Sequence, residues 1–267
     1  MCGRYTSITE DEIIQVRSIL RDISFKLVRD DFLHSNASSN AHGIQSIHNT
    51  SANTPTPPEI APTNRAPVIT SNGNEIAFES ARFGFTKWDG NGVIINARAE
   101  TVHEKAMFRK HITIGRCVVP ASSYFEWKQP DGFDRSNVPS DGEQTGKNKK
   151  KPKKIKHMIK DKDGNLLFMA GLWREGNNGR EFVIITKDPF GDVVDIHDRM
   201  PVMLRTDQLE DWLSGAMAVE ELMLLDYECV GEPWNQRTSE PAEPTTAHAR
   251  NAAGSAEDDQ LSLEDLL

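Results

Sequence analysis

The apolar residues of this chain come in short runs rather than in long stripes. Six of them, APVIT (66–70), EIAFES (75–80), RCVVP (116–120), SYFEW (123–127), LLFMAGLW (166–173) and EFVIITK (181–187), are bounded by turn residues. Several alternate or are rich in β-branched residues, the pattern of strands that bury at least one face. They do not alternate regularly with amphipathic helices, which argues against a doubly wound parallel sheet. The expected fold is α+β, mainly antiparallel β, with the strands curled into a barrel-like core and a few helices flanking it. Thr9 and Glu12 are spaced as a capping box, and Ile13, Val16 and Leu20 then form one apolar helical face. A second helix is expected after Thr206, carrying Leu209, Trp212 and Leu213.

Three stretches lack the apolar surface needed to offset the entropy of ordering them: His34 to Pro58, Pro130 to about Lys154, and Asn235 to the end. With 37% hydrophobic residues and a mean hydropathy of -0.55, part of the length is expected to stay unfolded. The expected organisation is a domain over residues 1–234, interrupted by loop insertions at about 34–58 and 130–154, and a disordered acidic tail over 235–267. The net charge of -9 is uneven. The tail carries seven acids and two arginines, whereas eight lysines and no acid fall between Lys147 and Lys160. That run reads as a phosphate-binding arm or as a solvated loop. The final QLSLEDLL places Gln260, Leu263, Leu266 and Leu267 like a sliding-clamp-binding peptide, or as a short amphipathic end. No run approaches the roughly 18 apolar residues of a membrane span. The N-terminus shows no secretory signal, and three cysteines cannot build a disulfide framework. A reducing cytoplasm is the expected setting.

Cys2 is the most informative single residue. Removal of Met1 would leave a chain beginning with cysteine, with a thiol and a free α-amine two carbons apart. The α-amine has a pKa of about 7.7–8.0, against about 10.4 for lysine. Roughly a third of it is therefore neutral at a pH of about 7.5, and it adds readily to an aldehyde as a Schiff base. The thiol can then close a five-membered ring on the same carbon, an intramolecular step of high effective concentration. An N-terminal cysteine is thus an aldehyde trap whose product, a thiazolidine, outlasts a simple imine.

Further segments combine acids, bases and anion-binding groups: INARAET (95–101), PASSYFEWK (120–128) and VDIHDRMPVML (194–204). Together with MCGRY, IAPTNRAPVI, RFGFTKWDG, RCVVPASSYFEWK, AGLWRE and FVIITK, they resemble the SRAP family, the SOS-response-associated peptidase proteins that act as abasic-site sensors. The resemblance spans about residues 1–230. It implies a monomer that binds single-stranded DNA containing an abasic site, in association with the nucleoid. It further implies a thiazolidine between Cys2 and the C1′ aldehyde of the opened sugar, which shields the lesion from strand cleavage, with no cofactor.

The resemblance also implies roles. Glu126, placed by strand alternation opposite Phe125 and Trp127, would shuttle protons during imine formation. His197 would protonate the sugar ring oxygen and take part in reversal. Asn96 would hold the sugar and the nucleophile, although it could equally cap a turn before a helix at Ala99. Arg4, Arg98 and Arg199 would grip phosphates with their planar forks. Trp88 and Pro62 would wedge and stack on bases, which needs no sequence readout. Two segments depart from the family pattern: Pro58, Glu59, Ile60, Ala61 and Pro62, and Arg82, Phe83, Gly84 and Phe85.

Other residues read as structural. Trp127 and Trp173 are expected in the core, and His34, His42 and His48 lie in loops without catalytic context. Cys117 and Cys229 are expected as buried thiols, and with no partners at metal spacing no zinc site is proposed. Two rival functions remain. One is a cysteine peptidase acting on its own N-terminus, with Cys2 as nucleophile and His197 as base. The other is a non-covalent single-stranded DNA-binding module.

Overall fold

Each of the six apolar runs forms a strand. The computed structural model describes residues 2–23, 27–30, 57–72, 75–130 and 153–234. The chain opens with β1 (Arg4–Thr6), α1 (Glu10–Ile23), β2 (Leu27–Asp30) and β3 (Glu59–Ile60). Next come β4 (Arg65–Ser71), β5 (Glu75–Phe83), β6 (Phe85–Thr86), β7 (Val93–Ile94), β8 (Asn96–Arg98) and α2 (Ala106–Ile114). β9 (Arg116–Ala121), β10 (Ser123–Lys128), β11 (Ile155–Asp161), β12 (Leu167–Gly176) and β13 (Gly179–Lys187) follow, and β14 (Met200–Pro201), α3 (Leu209–Ser214) and β15 (Cys229–Pro233) complete the order. The two insertions and the tail fall largely or wholly outside the described residues.

The strand pairing closes on itself. β4, β5, β13, β12 and β9 pair in that order, and β9 pairs back with β4. Four of these contacts are antiparallel; the closing one, β5 with β13, is parallel and sets Arg82 and Phe83 beside Glu181 and Phe182. A second sheet runs in the order β15, β11, β10, β1, β3. The α+β, mainly antiparallel, barrel-like fold expected from the sequence is the one that forms.

Period-two alternation sends the side chains of the ring strands into two separate clusters. Ile69, Phe78, Val118, Leu172 and Val183 pack with Val16, Leu20 and Trp212 of the helices. Their neighbours Val68, Phe83, Val119, Met169 and Phe182 pack with Tyr5, Tyr124 and Ile159 of the second sheet. Covering both faces explains why the ring strands read as nearly continuous apolar runs instead of a clean alternation. The two phenylalanines that mark a departure from the family pattern sit in this packing. Phe83 stacks on Phe182 with centroids 5.1 Å apart and meets Tyr5 edge-on, and Phe85 is fully buried in the other cluster.

The helices begin where local chemistry sets them. The Glu12 N–H donates to Thr9 Oγ1 (3.2 Å) and the Thr9 N–H to Glu12 Oε2 (2.6 Å), completing the expected capping box. Leu209, Trp212 and Leu213 are buried on α3, as anticipated, after a 3-10 turn over Thr206–Gln208. The helix expected at Ala99 starts instead at Ala106. The Ala99 N–H is taken by the Thr186 carbonyl of β13 (2.8 Å), and turns occupy the residues between. α2 ends at Gly115, where a Cβ would lie 2.3 Å from the Trp173 carbonyl oxygen, so only glycine fits. Trp127 and Trp173 are half-buried rather than central in the core, whereas Cys117 and Cys229 are buried thiols as expected. Among the described residues, no helix is long and apolar enough to cross a membrane.

Arg116 ties the helices to the ring. Its Nε donates to the Ile112 carbonyl (2.7 Å) and its Nη1 to the Met217 carbonyl (2.7 Å), while the guanidinium stacks 4.4 Å from the Trp212 ring. Burial lowers its pKa, and the carbonyls accept from the buried charged group. Arg116→Ala strips buried carbonyls of a charged donor and leaves a void. A loss of about 3 kcal/mol is expected, read as a fall of roughly 10 °C in a thermal melt.

Candidate functional site

Four residues far apart in sequence are carried to one place by strand pairing. Cys2 lies two residues before the start of β1, which pairs with β10 so that Arg4 faces Phe125 and Tyr5 faces Tyr124. Glu126 lies two residues further along β10. Asn96 opens β8, which runs parallel to β13 with Asn96 opposite Ile184. From there the Asn96 amide Nδ2 donates to the Cys2 carbonyl (3.2 Å) and also reaches the Ile184 carbonyl (3.5 Å). His197 follows the 3-10 turn Gly191–Asp195, and its Nε2 lies 3.5 Å from Glu126 Oε2.

Burial differs sharply across the cluster. Cys2 is fully buried and its thiol points at the Arg4 carbonyl, 3.9 Å away. Glu126 is 1% exposed, while the His197 side chain is 20% exposed and forms the solvent-facing side. Burial pushes the Glu126 carboxyl up to about 7, with the Asp198 carboxylate adding to the rise. The group is therefore divided between acid and base forms near neutrality, where proton transfer in either direction is easiest. Burial and the Glu126 charge also push the Cys2 thiol well above its usual range, so the resting sulfur is protonated.

The His197 ring is held from its other side. Nδ1 accepts the Arg199 N–H (3.1 Å) when deprotonated, which puts the ring proton on Nε2, facing Glu126. In the imidazolium, Nδ1–H has the Asp198 carboxylate at 2.9 Å instead. Both protonation states thus have a partner, as a proton shuttle requires. The Asn96 Oδ1 atom is buried and makes no hydrogen bond among the described residues, leaving an acceptor within the site.

The residues expected to contact DNA are placed unequally. Trp88 is 94% exposed on the loop between β6 and β7, and Arg98 is exposed at the end of β8. Arg4 is half-exposed and donates to Glu59 Oε1 (3.0 Å). Pro62 sits in the turn Ala61–Asn64, next to Thr63 with φ 77. Arg199 differs: it is 8% exposed, with both terminal nitrogens committed inward. They donate to Glu100 (2.7 and 2.8 Å), Asp188 (2.6 Å) and the Thr186 carbonyl (2.7 Å). It braces the segment that carries His197. Sequence reading also passed over His157, which is buried directly across from Glu126 on β11. The alternation of IKHMIKD, which turns His157, Ile159 and Asp161 to one face, is the signal that finds it. Of the lysine run, Lys156 pairs with Glu59 (2.6 Å) and lies over the Phe125 ring (3.8 Å). Lys147 to Lys151, the clamp-like residues Gln260, Leu263, Leu266 and Leu267, and His34, His42 and His48 lie outside the described residues.

The raised Glu126 pKa makes a stability prediction with a definite sign. The folded state binds this proton more tightly than the unfolded chain, whose carboxyl titrates near 4.3. The stabilisation is complete below about 4.3 and is lost as pH rises through about 7. Glu126→Gln, which cannot ionise, should therefore melt higher than the parent at a pH of about 8.5, with a smaller advantage at a pH of about 5. A difference in melting temperature that does not change with pH would place the titration elsewhere.

The SOS response associated peptidase (SRAP) family model matches residues 1–230. The abasic site processing protein YoqW of Bacillus subtilis (strain 168) is 33% identical over 226 residues, 80% of this chain and 80% of YoqW. The abasic site processing protein YedK of Escherichia coli (strain K12) is 25% identical over 198 residues, 72% of this chain and 79% of YedK. A solved structure from Bacteroides thetaiotaomicron shares the fold, with a TM-score of 0.59 at 20% identity over 91% of this chain and 97% of the other. With the match running from the first residue to the start of β15, the chain belongs to the SRAP family.

Proposed function

We propose that this protein processes abasic sites in single-stranded DNA by capturing them covalently through Cys2 after Met1 is removed. The observation that carries the reading is the convergence of Cys2, Asn96, Glu126 and His197; elsewhere on the chain the β6–β7 loop exposes an aromatic, Trp88, to solvent. The processing activity named for the relatives supplies the substrate class.

The residues divide the chemistry as follows. His197, at the solvent-facing side, protonates the sugar ring oxygen and opens the hemiacetal to its aldehyde. The Cys2 α-amine adds to C1′. Glu126 donates the proton that lets water leave the carbinolamine, giving the protonated imine, and the resulting carboxylate can accept the thiol proton. The sulfur then forms the C1′–S bond while the imine π pair moves to nitrogen, which gives the thiazolidine. Asn96, bonded to the Cys2 carbonyl, fixes the nucleophile against this path. Arg4 and Arg98 contact phosphates, and Trp88 and Pro62 support the bases beside the lesion. Arg199 acts as the brace of the His197 segment rather than as a phosphate ligand.

Incubating the protein with an abasic single strand should give a heat-stable adduct, and intact mass should show Met1 absent. Cys2→Ala should give none, and His197→Ala should form it more slowly. Equal adduct from Cys2→Ala, or from a chain that keeps Met1, would overturn the reading. Trp88→Ala should weaken single-strand binding by about tenfold or more, since stacking of one base is worth about 1–3 kcal/mol. Fluorescence anisotropy with an undamaged strand measures this apart from the chemistry.

A further inference from the structure

Two buried tyrosines lie beside the nucleophile and have no part in the mechanism above. Tyr5 and Tyr124 are direct cross-strand partners on β1 and β10, and each is fully buried. Both belong to the cluster that contains Cys2. Tyr124 is two residues from Glu126, so the two share a face of β10. Neither hydroxyl has a hydrogen-bond partner among the described residues. Phenylalanine would fill the same apolar space without the cost of an unsatisfied hydroxyl, about 1–3 kcal/mol each. Two such hydroxyls side by side point to a group that needs donors only at some stage of the reaction.

The Cys2 sulfur is that group. Among the described residues its one hydrogen bond is as a donor, to the Arg4 carbonyl. That bond is lost when the thiol gives up its proton, and the sulfur is then an anion in an apolar cluster. Tyr5 on β1 and Tyr124 and Glu126 on β10 interact with it, Cys117 on β9 and Cys229 on β15 share its cluster, and His157 on β11 pairs with Glu126. Of these, the two phenols are the O–H donors with nothing to donate to. Burial and the Cys2 sulfur raise the Tyr5 phenol, and burial with Cys229, Cys2 and Glu126 raises Tyr124, so both stay protonated donors.

We propose that Tyr5 and Tyr124 are positioning residues that donate hydrogen bonds to the Cys2 sulfur as it loses its proton, and so favour ring closure over the open imine. This rests on the covalent reading given above. In the step concerned, the S–H proton passes to the Glu126 carboxylate and the sulfur lone pair forms the C1′–S bond. The C=N π pair returns to nitrogen, and the phenols keep their protons throughout.

The test uses Tyr5→Phe, Tyr124→Phe and the double variant in the full chain with an abasic oligonucleotide. Borohydride trapping reads the imine, and borohydride-independent, heat-stable adduct reads ring closure. Imine capture should match the parent, closure should slow about tenfold, the effect of one hydrogen bond to a charged group, and the melting temperature should hold or rise. In parallel, the 13Cβ shift of Cys2 followed against pH should show the thiol titrating about one pH unit higher in each variant. Unchanged closure and an unchanged thiol titration overturn the proposal, as does equal slowing of imine and closure with a lower melting temperature. A parent protein that forms no adduct at all would instead sink the covalent reading. The thiol titration then still decides whether the phenols serve the sulfur.

Discussion

Strand β13 is the element on which the rest of the structure depends. It pairs antiparallel with β12 and β14 and parallel with β5 and β8. Its contact with β5 closes the ring, and closure leaves those strands no free edge on that side. Its contact with β8 sets Asn96 beside Ile184, where the amide reaches Cys2. Its contact with β14 anchors the chain just after His197. The Thr186 carbonyl of the same strand accepts from Arg199 and from Ala99, so both segments flanking the site are tied to it. A single strand thereby turns sequence separations of about a hundred residues into hydrogen-bond distances.

The candidate site is set in an apolar cluster. A carboxyl and a thiol kept from water both favour their neutral forms, and the Glu126 charge raises the thiol further. That arrangement costs folding free energy above neutral pH, a cost the large packed ring can absorb. In return the carboxyl sits where it can both give and take a proton near neutrality. Cys2 and Glu126 are buried, whereas His197 and Asn96 keep partial contact with solvent.

Much of this was legible in the sequence because it is local. The capping box at Thr9 and Glu12, the six strand-forming runs and the buried face of α3 follow from spacing alone. The candidate site was legible for another reason: its residues lie in motifs that resemble a family, and strand alternation already turned Glu126 away from Phe125 and Trp127. Three features were not legible. Arg199 reads like any exposed arginine until Glu100 and Asp188, from two other segments, converge on it. His157 carried no motif, and the helix expected at Ala99 yielded to a hydrogen bond from a distant strand.

The sequence by itself determined the fold class, the helix start at Thr9 and the buried face of α3, because period and capping act over a few neighbours. Tertiary structure alone decided which strands meet, how deeply Glu126 and Cys2 are buried, and whether an arginine faces solvent or a carboxylate. Those properties depend on ring closure between segments a hundred residues apart, and the pKa of a buried group is set by the surroundings that closure assembles.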